Sequence, residues 1–173
     1  MLKKKDSMKD FLHCSALLTG FGRLDLIGTG MSELYRDTLL ETIGEEICSE
    51  LWTKIAGLES SHLDDPDKVE EAISKHILVA DRKLGPVAKS IIQMWYLGQW
   101  TQTPIAWREE FGTNPNDFNR VISAAAYTEG LVWRAAGTHP QGAKQPGYGT
   151  WSAPPVQIAI RDATSAREAG ATE

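Results

Sequence analysis

Cysteine is scarce in this 173-residue sequence, which contains only Cys14 and Cys48. Neither has a second cysteine at the spacing typical of a metal site, so the pattern predicts two buried thiols. A disulfide between their two helices stays open as an alternative. His13 directly precedes Cys14, but adjacent residues point to different sides of a helix and make poor co-ligands. The cysteines therefore predict no metal site.

Long apolar runs and an excess of basic residues are also missing. No apolar run approaches the ~20 residues that a membrane-spanning helix needs. Acidic residues outnumber basic ones by 23 to 18, and the net charge of −5 argues against nucleic-acid binding, which needs a basic face. No apolar segment lies between Met1 and Asp6, so the chain as written shows no signal peptide and favours a cytoplasmic location.

Patterns typical of catalysis are absent as well. The four histidines have no acid or cysteine at ligand spacing, and we interpret them as surface or core residues: His13, His62, His76 and His139. No Gly-x-Ser-x-Gly nucleophile motif occurs, and the pairs Glu45-Glu46 and Glu70-Glu71 are typical of solvated helix faces. The sequence therefore predicts no catalytic residue.

One segment resembles a cofactor motif only at its start. Gly28-Thr29-Gly30 begins like the dinucleotide-binding fingerprint, but Glu33 stands where the third glycine is needed. No strand precedes it, and the chain shows no βαβ pattern. We expect a turn before a helix that Ser32 caps, and neither flavin nor nicotinamide cofactor bound to this chain.

Apolar residues recur every three or four positions, which predicts an all-α fold, a helical bundle. Asp6 or Ser7 is expected to cap the first helix, and Gly20 and Gly22 to end it. A second apolar stripe follows, and whether Gly44 divides it into two helices stays open: Leu40, Ile43, Ile47, Leu51 and Ile55.

Prolines and glycines predict where the helices of the second half of the bundle begin and end. Asp65-Pro66 is a favourable helix start, because proline at the first helical position loses no hydrogen bond. Pro86 is expected to open the helix that ends at Trp95-Tyr96-Leu97-Gly98. Residues 101–117 are interpreted as a connecting insertion, and a last helix is expected over about 117–136.

The character of the chain changes at Gly137. We therefore predict a helical domain over residues 1–136 and an extended, loop-rich C-terminal arm and tail over 137–173. Tyr148 and Trp151 lie among its glycines and prolines, and large aromatic residues offset the cost of ordering only when they are buried. The arm either folds back on its own helices or docks on another protein, and the sequence favours neither.

Three segments resemble one protein family. The first runs from Asp10-Phe11 through Thr19-Gly20 to Leu24-Asp25, and the second is Trp95-Tyr96-Leu97-Gly98. The third begins at Ala126-Tyr127, passes Leu131-Val132-Trp133 and leads into residues 145–154, which end in Pro154. In this order they resemble the small (gamma) subunit of bacterial membrane-associated, FAD-dependent sorbitol, fructose and glucose dehydrogenases.

The resemblance implies a non-catalytic subunit. Its partner would be a large FAD-binding dehydrogenase subunit of the glucose–methanol–choline type, which can also hold an iron–sulfur cluster. A cytochrome c subunit is a further partner that the resemblance implies. The small subunit would stabilise the large one and help it fold. A free-standing helical adaptor or regulatory module that binds a protein through its arm is the alternative.

The resemblance also implies a periplasmic address, through a twin-arginine signal that this sequence does not show. The location therefore stays open between cytoplasm and periplasm. Aromatic residues in the three segments and the arm are the expected contacts with the partner: Trp95, Tyr96, Tyr127, Trp133, Tyr148, Trp151 and Pro154.

Overall fold

The computed structural model describes residues 2–62 and 65–140 and confirms the predicted all-α fold. Within these residues the only strands are β1 (Gln99–Trp100) and β2 (Arg120–Val121), which pair antiparallel as a two-residue ribbon. The chain divides into two units, Met1–Leu131 and Val132–Glu173, and the core described below belongs to the first.

The elements follow one another along the chain with short connections. The helices are α1 (Leu2–Thr19), α2 (Arg23–Gly28), α3 (Ser32–Ile43), α4 (Glu45–Ser60), α5 (Pro66–Ile73), a π-helix (Ser74–Val79), α6 (Leu84–Leu97), α7 (Ile105–Phe111), α8 (Ala124–Thr128) and α9 (Leu131–Ala135). None of the described helices combines the length and the hydropathy that a membrane crossing requires.

Helix α6 lies at the centre of the core. One of its faces carries Val87, Ile91 and Trp95, each at most 1% exposed, as their four-residue spacing predicts. The Trp95 ring stacks on Phe11 of α1 with centroids 6.0 Å apart, and Tyr35 of α3 meets it edge-on at 4.9 Å. Such aromatic pairs add to the burial of apolar area that stabilises the fold.

The first helices end at glycines but begin differently from the prediction. Gly20 follows α1 as expected, whereas α1 starts at Leu2, ahead of the predicted caps Asp6 and Ser7. Gly44 has φ 92° and divides α3 from α4, which settles the alternative that the sequence left open. The short helix α2 was not predicted.

Ser32 does not cap α3, because it is already the first helical residue. The Thr29 hydroxyl instead accepts a hydrogen bond from Met31 N–H at 3.1 Å and donates one to the Leu26 carbonyl at 2.7 Å. The segment that resembled a dinucleotide fingerprint is therefore the turn between two helices, in agreement with the prediction.

Aspartates organise the two helix starts around the π-helix. Asp65 caps α5 by accepting from Lys68 N–H, as its place before Pro66 predicts. Asp81 accepts from the N–H groups of Lys83 and Leu84 at 2.9 and 2.8 Å, so α6 begins at Leu84, two residues before the predicted start at Pro86.

The expected helix over 117–136 is wrong, because the segment is divided into β2, α8 and α9. Ile122 N–H donates to the carbonyl of Gly98 at 3.0 Å and is therefore not part of a helix. Ser123 then caps α8 by accepting from Ala126 N–H. The predicted insertion 101–117 likewise contains a helix, α7, whose Trp107 is buried.

Candidate partner-binding surface

The three segments of the family resemblance meet at the C-terminal end of α6. Phe11 stacks on Trp95, and the Tyr96 hydroxyl donates to the carbonyl of Thr19 at 2.9 Å, which joins the first segment to the second. Gly98 lies against Ala126, which joins the second segment to the third. Parts of all three segments are therefore in contact within Met1–Leu131, whereas the third segment from Val132 onward belongs to the second unit.

Gly98 is the position where the end of α6 packs directly against the backbone of α8. Its φ of 67° is left-handed, and a Cβ added there would lie 2.3 Å from the Ala126 carbonyl oxygen and 2.7 Å from the Tyr127 nitrogen. Only glycine meets both conditions without displacement of α8. Its own carbonyl accepts from Ile122 N–H. The glycine at the end of the second segment is thus a packing requirement.

Trp95, one of the predicted partner contacts, is 1% exposed. Its ring is enclosed by Phe11 and Tyr35, so it offers no side-chain surface to another protein. We therefore correct its role from a contact to a core residue that fixes α6 against α1 and α3. Local spacing does not show this difference, because a buried and an exposed tryptophan at a helix end share the same pattern.

Tyr96 and Tyr127 are the predicted contacts that keep exposed surface. Tyr96 is half-buried, packs edge-on against Phe21 at 6.0 Å, and has a raised pKa because burial disfavours the phenolate. Tyr127 is 38% exposed. Their position where the segments meet agrees with a contact role, which stays a prediction.

Exposed apolar side chains surround the β1–β2 ribbon beside these tyrosines. Val121, which pairs with Gln99, is 59% exposed, and Leu97 is 42% exposed. Phe118 is 49% exposed, and the guanidinium of Arg120 lies over its ring at 4.8 Å. We name this area the ribbon surface and define it as Leu97, Phe118, Val121 and Tyr127. Clustered exposed apolar groups of this kind are typical of protein-binding sites.

The remaining predicted contacts lie in the second unit. Trp133 is half-buried and belongs to α9. Tyr148, Trp151 and Pro154 lie outside the described residues. The boundary between the units, after Leu131, falls five residues before the predicted domain boundary at 136.

A buried carboxylate, Asp117, holds the segment between β1 and β2 in place. Asp117, 6% exposed, accepts from Trp100 Nε1 at 2.9 Å, from Thr103 N at 3.0 Å and from the Thr103 hydroxyl. Gln102 adds a bond from its side-chain amide to the Asp117 carbonyl at 2.8 Å. Sequence patterns did not predict this arrangement, and the only local signal was the Asn-Pro-Asn-Asp turn at residues 114–117, which is typical of side-chain-to-backbone bonding.

The histidines and cysteines belong to no metal-binding group in the part of the chain that the structure describes. His13 Nε2 lies 2.6 Å from Glu59 Oε2, a pairing across helices that sequence spacing cannot show. Both cysteines are free and buried, and burial raises the pKa of the Cys48 thiol to about 12, with a further contribution from Glu45. No group of three or more His, Cys, Asp or Glu residues suits a metal ion within 2–62 and 65–140.

The acidic pairs occupy the surface, as predicted. Glu45 and Glu46 are exposed in the first turn of α4, where carboxylates favour the helix dipole. Glu70 and Glu71 are exposed on α5. Among the described residues, neither pair forms a hydrogen bond or an ion pair with a nucleophile or a histidine.

The comparisons with known proteins add no relative. The chain matches no protein-family model, and no curated protein or solved structure is significantly similar to it.

Proposed function

We propose that this chain is a non-catalytic small subunit that stabilises the FAD-binding catalytic subunit of a sugar or polyol dehydrogenase and helps it fold. FAD, and any iron–sulfur cluster, would belong to the partner. The observation that supports the proposal is the contact at one end of α6 between the first segment, the second segment and the start of the third at Ala126, next to the exposed ribbon surface.

The composition of this region suits binding better than chemistry. Its polar groups are a tyrosine hydroxyl bonded to a backbone carbonyl and a carboxylate that accepts from an indole, a backbone amide and a hydroxyl. Neither arrangement activates a nucleophile. The apolar side chains around the ribbon instead supply area that a partner can remove from water, and interface energy concentrates in such aromatic and aliphatic anchors.

A purification test addresses the proposal directly. The full chain, tagged and expressed in its native host, should co-purify with a larger protein whose absorption spectrum shows oxidised flavin and which oxidises a sugar or polyol. Co-purification with proteins that carry no flavin would contradict the proposal and would favour the adaptor alternative.

Val121→Asp tests the surface. A charge buried at an interface without a partner should weaken the complex by roughly thirtyfold or more, equivalent to about 2 kcal/mol. Val79→Asp is the matched control, because Val79 is 81% exposed on the π-helix, away from the ribbon. Equal losses in both variants would remove the ribbon surface from the proposal.

Trp151→Ala tests the arm, which lies outside the described residues. A docking arm predicts a large loss of affinity with the melting temperature of the isolated chain unchanged. A lower melting temperature with unchanged affinity would show that the arm serves its own chain.

A further inference from the structure

A small polar cavity lies where the end of α3 meets the segment between α7 and β2. Its volume is about 120 Å³, and it is partly open to solvent. A water molecule occupies ~30 Å³ of liquid, so the cavity has room for an ion with a few waters. Thr42 and Asp117 supply its buried polar groups, and Trp107 and Phe111 contribute apolar wall. The site is independent of the proposed function.

Asp117 brings a negative charge to this cavity without a cation to balance it. Within the described residues no lysine, arginine or histidine forms an ion pair with this carboxylate. A carboxylate has about four acceptor positions. Oδ1 takes Trp100 Nε1 and Thr103 N, and Oδ2 takes the Thr103 hydroxyl with only a longer contact of 3.3 Å to Thr103 N. Oδ2 therefore keeps acceptor capacity.

Thr42 supplies a second oxygen that the protein itself does not satisfy. Its side chain is 4% exposed, and its Oγ1 has no hydrogen-bond partner among the described residues. Buried hydroxyls are nearly always bonded, so an unbonded one that lines a cavity is available to a bound water or ion. The amide of Asn114 donates to the Glu41 carbonyl at 2.9 Å, which fixes the opposite wall against α3.

We propose that this cavity binds one monovalent cation of the Na⁺ or K⁺ class. The lining supplies the Asp117 carboxylate, the Thr42 hydroxyl and the Asn114 amide oxygen, which also accepts from Asn116 N–H at 2.8 Å. Oxygens of these kinds are hard ligands suited to alkali and alkaline-earth ions. One carboxylate balances one positive charge, whereas divalent ions held by proteins usually require more carboxylate ligands. The ion would join α3 to the turn that carries Asp117, and so the fold would gain a stability that depends on the cation.

The test compares melting temperatures of the full chain in chlorides of potassium, sodium and choline at equal ionic strength. At about five times the dissociation constant, the bound cation should raise the melting temperature by roughly 2–4 °C relative to choline, with saturation at higher concentration. Equal melting temperatures in the three salts would overturn the proposal and leave a water-filled cavity. A fourth sample in calcium chloride at the same ionic strength tests the charge: a shift in calcium with none in potassium or sodium would overturn the monovalent assignment.

Two variants assign the effect to the cavity. Thr42→Val keeps the shape of the side chain and leaves the Asp117 bonds intact, so the protein should fold while its cation-dependent shift falls by at least half. If no ion binds in this cavity, Thr42→Val only removes an unbonded hydroxyl. The difference in melting temperature between the salts is then the same for the variant and the unmodified protein, which would overturn the proposal. Asp67→Asn is the control, because Asp67 is an exposed aspartate on α5.

A direct measurement does not depend on any variant. Thallium(I) replaces potassium in its sites, so crystals soaked in a thallium(I) salt should show an anomalous peak between Thr42 and Asp117. A peak there supports the site, and its absence from a crystal at full thallium concentration refutes it. The peak should also weaken when excess potassium competes.

Discussion

Replacement of Gly98 by alanine should destabilise the protein more than the same change at any exposed glycine turn. Two separate costs add at this position. The backbone at φ 67° disfavours any residue with a Cβ, by about 1–2 kcal/mol. The new methyl group would also lie 2.3 Å from the Ala126 carbonyl oxygen, which is far inside normal contact distance.

The second cost can be worked from the structure. Relief of the clash requires α8 to move away from α6, which strains the hydrogen bond from Ile122 N–H to the Gly98 carbonyl. Overpacking of this kind costs about 1–3 kcal/mol, and the lost hydrogen bond adds about 1 kcal/mol. The free energy of unfolding should therefore fall by roughly 3–6 kcal/mol in total.

Gly30→Ala separates the two costs. Gly30 has φ 72°, nearly that of Gly98, but a Cβ added there meets nothing within 4 Å. For Gly30→Ala the free energy of unfolding should fall only by the backbone cost, about 1–2 kcal/mol. Urea unfolding followed by circular dichroism and tryptophan fluorescence measures both variants. Equal losses for the two alanines would refute the close approach of Gly98 to α8, and with it the contact between the second and third segments.

Two further predictions concern titrating groups. Burial acts to raise the pKa of Asp81, but hydrogen bonds from Leu84 N–H, Lys54 and Lys83 N–H lower it overall. Asp81→Asn should therefore lower the free energy of unfolding by about 1–2 kcal/mol at pH 7, as measured by urea unfolding. This difference from the unmodified protein should shrink as the pH falls below the unfolded-state pKa of ~3.9. A difference that stays constant with pH would exclude the role of the charge. Cys48, whose thiol pKa is about 12, should react with a thiol reagent at pH 8 only after denaturant is added, and rapid labelling of the folded chain would contradict its burial.

Helix periodicity predicted the buried face of α6 correctly, because packing follows directly from the spacing of apolar residues. Val87, Ile91 and Trp95 are all in the core. The same spacing failed after Gly98. Val121 and Phe118 fit a helical stripe, but Asp117 and Ser123 bond to backbone N–H groups and divide the segment into a strand and short helices. Short polar side chains compete with helical hydrogen bonds in this way.

The candidate surface was only partly accessible to prediction. Tyr96 and Tyr127 were predicted as contacts because they lie in the segments that carry the family resemblance. Exposure is a property of the tertiary fold, and so the buried Trp95 could not be separated from them. Val121 carried no signal as a surface residue. Its neighbour in the ribbon, Gln99, is 22 positions earlier in the sequence, and such long-range pairing is not written into local spacing.

The π-helix at Ser74–Val79 has a consequence for the phase of the chain. Val69, Ile73 and Ile77 recur every four residues, and each such step overshoots an α-helical turn of 3.6 residues by about 40°. A regular α-helix would carry the third residue well away from the core. The bond from Ala80 N–H to the Lys75 carbonyl spans five residues, so this turn is wider and takes up the overshoot. Ile77 thus returns to the core at 0% exposure. Removal of one residue from the π-helix would rotate the residues that follow it, up to the start of α6, relative to the core.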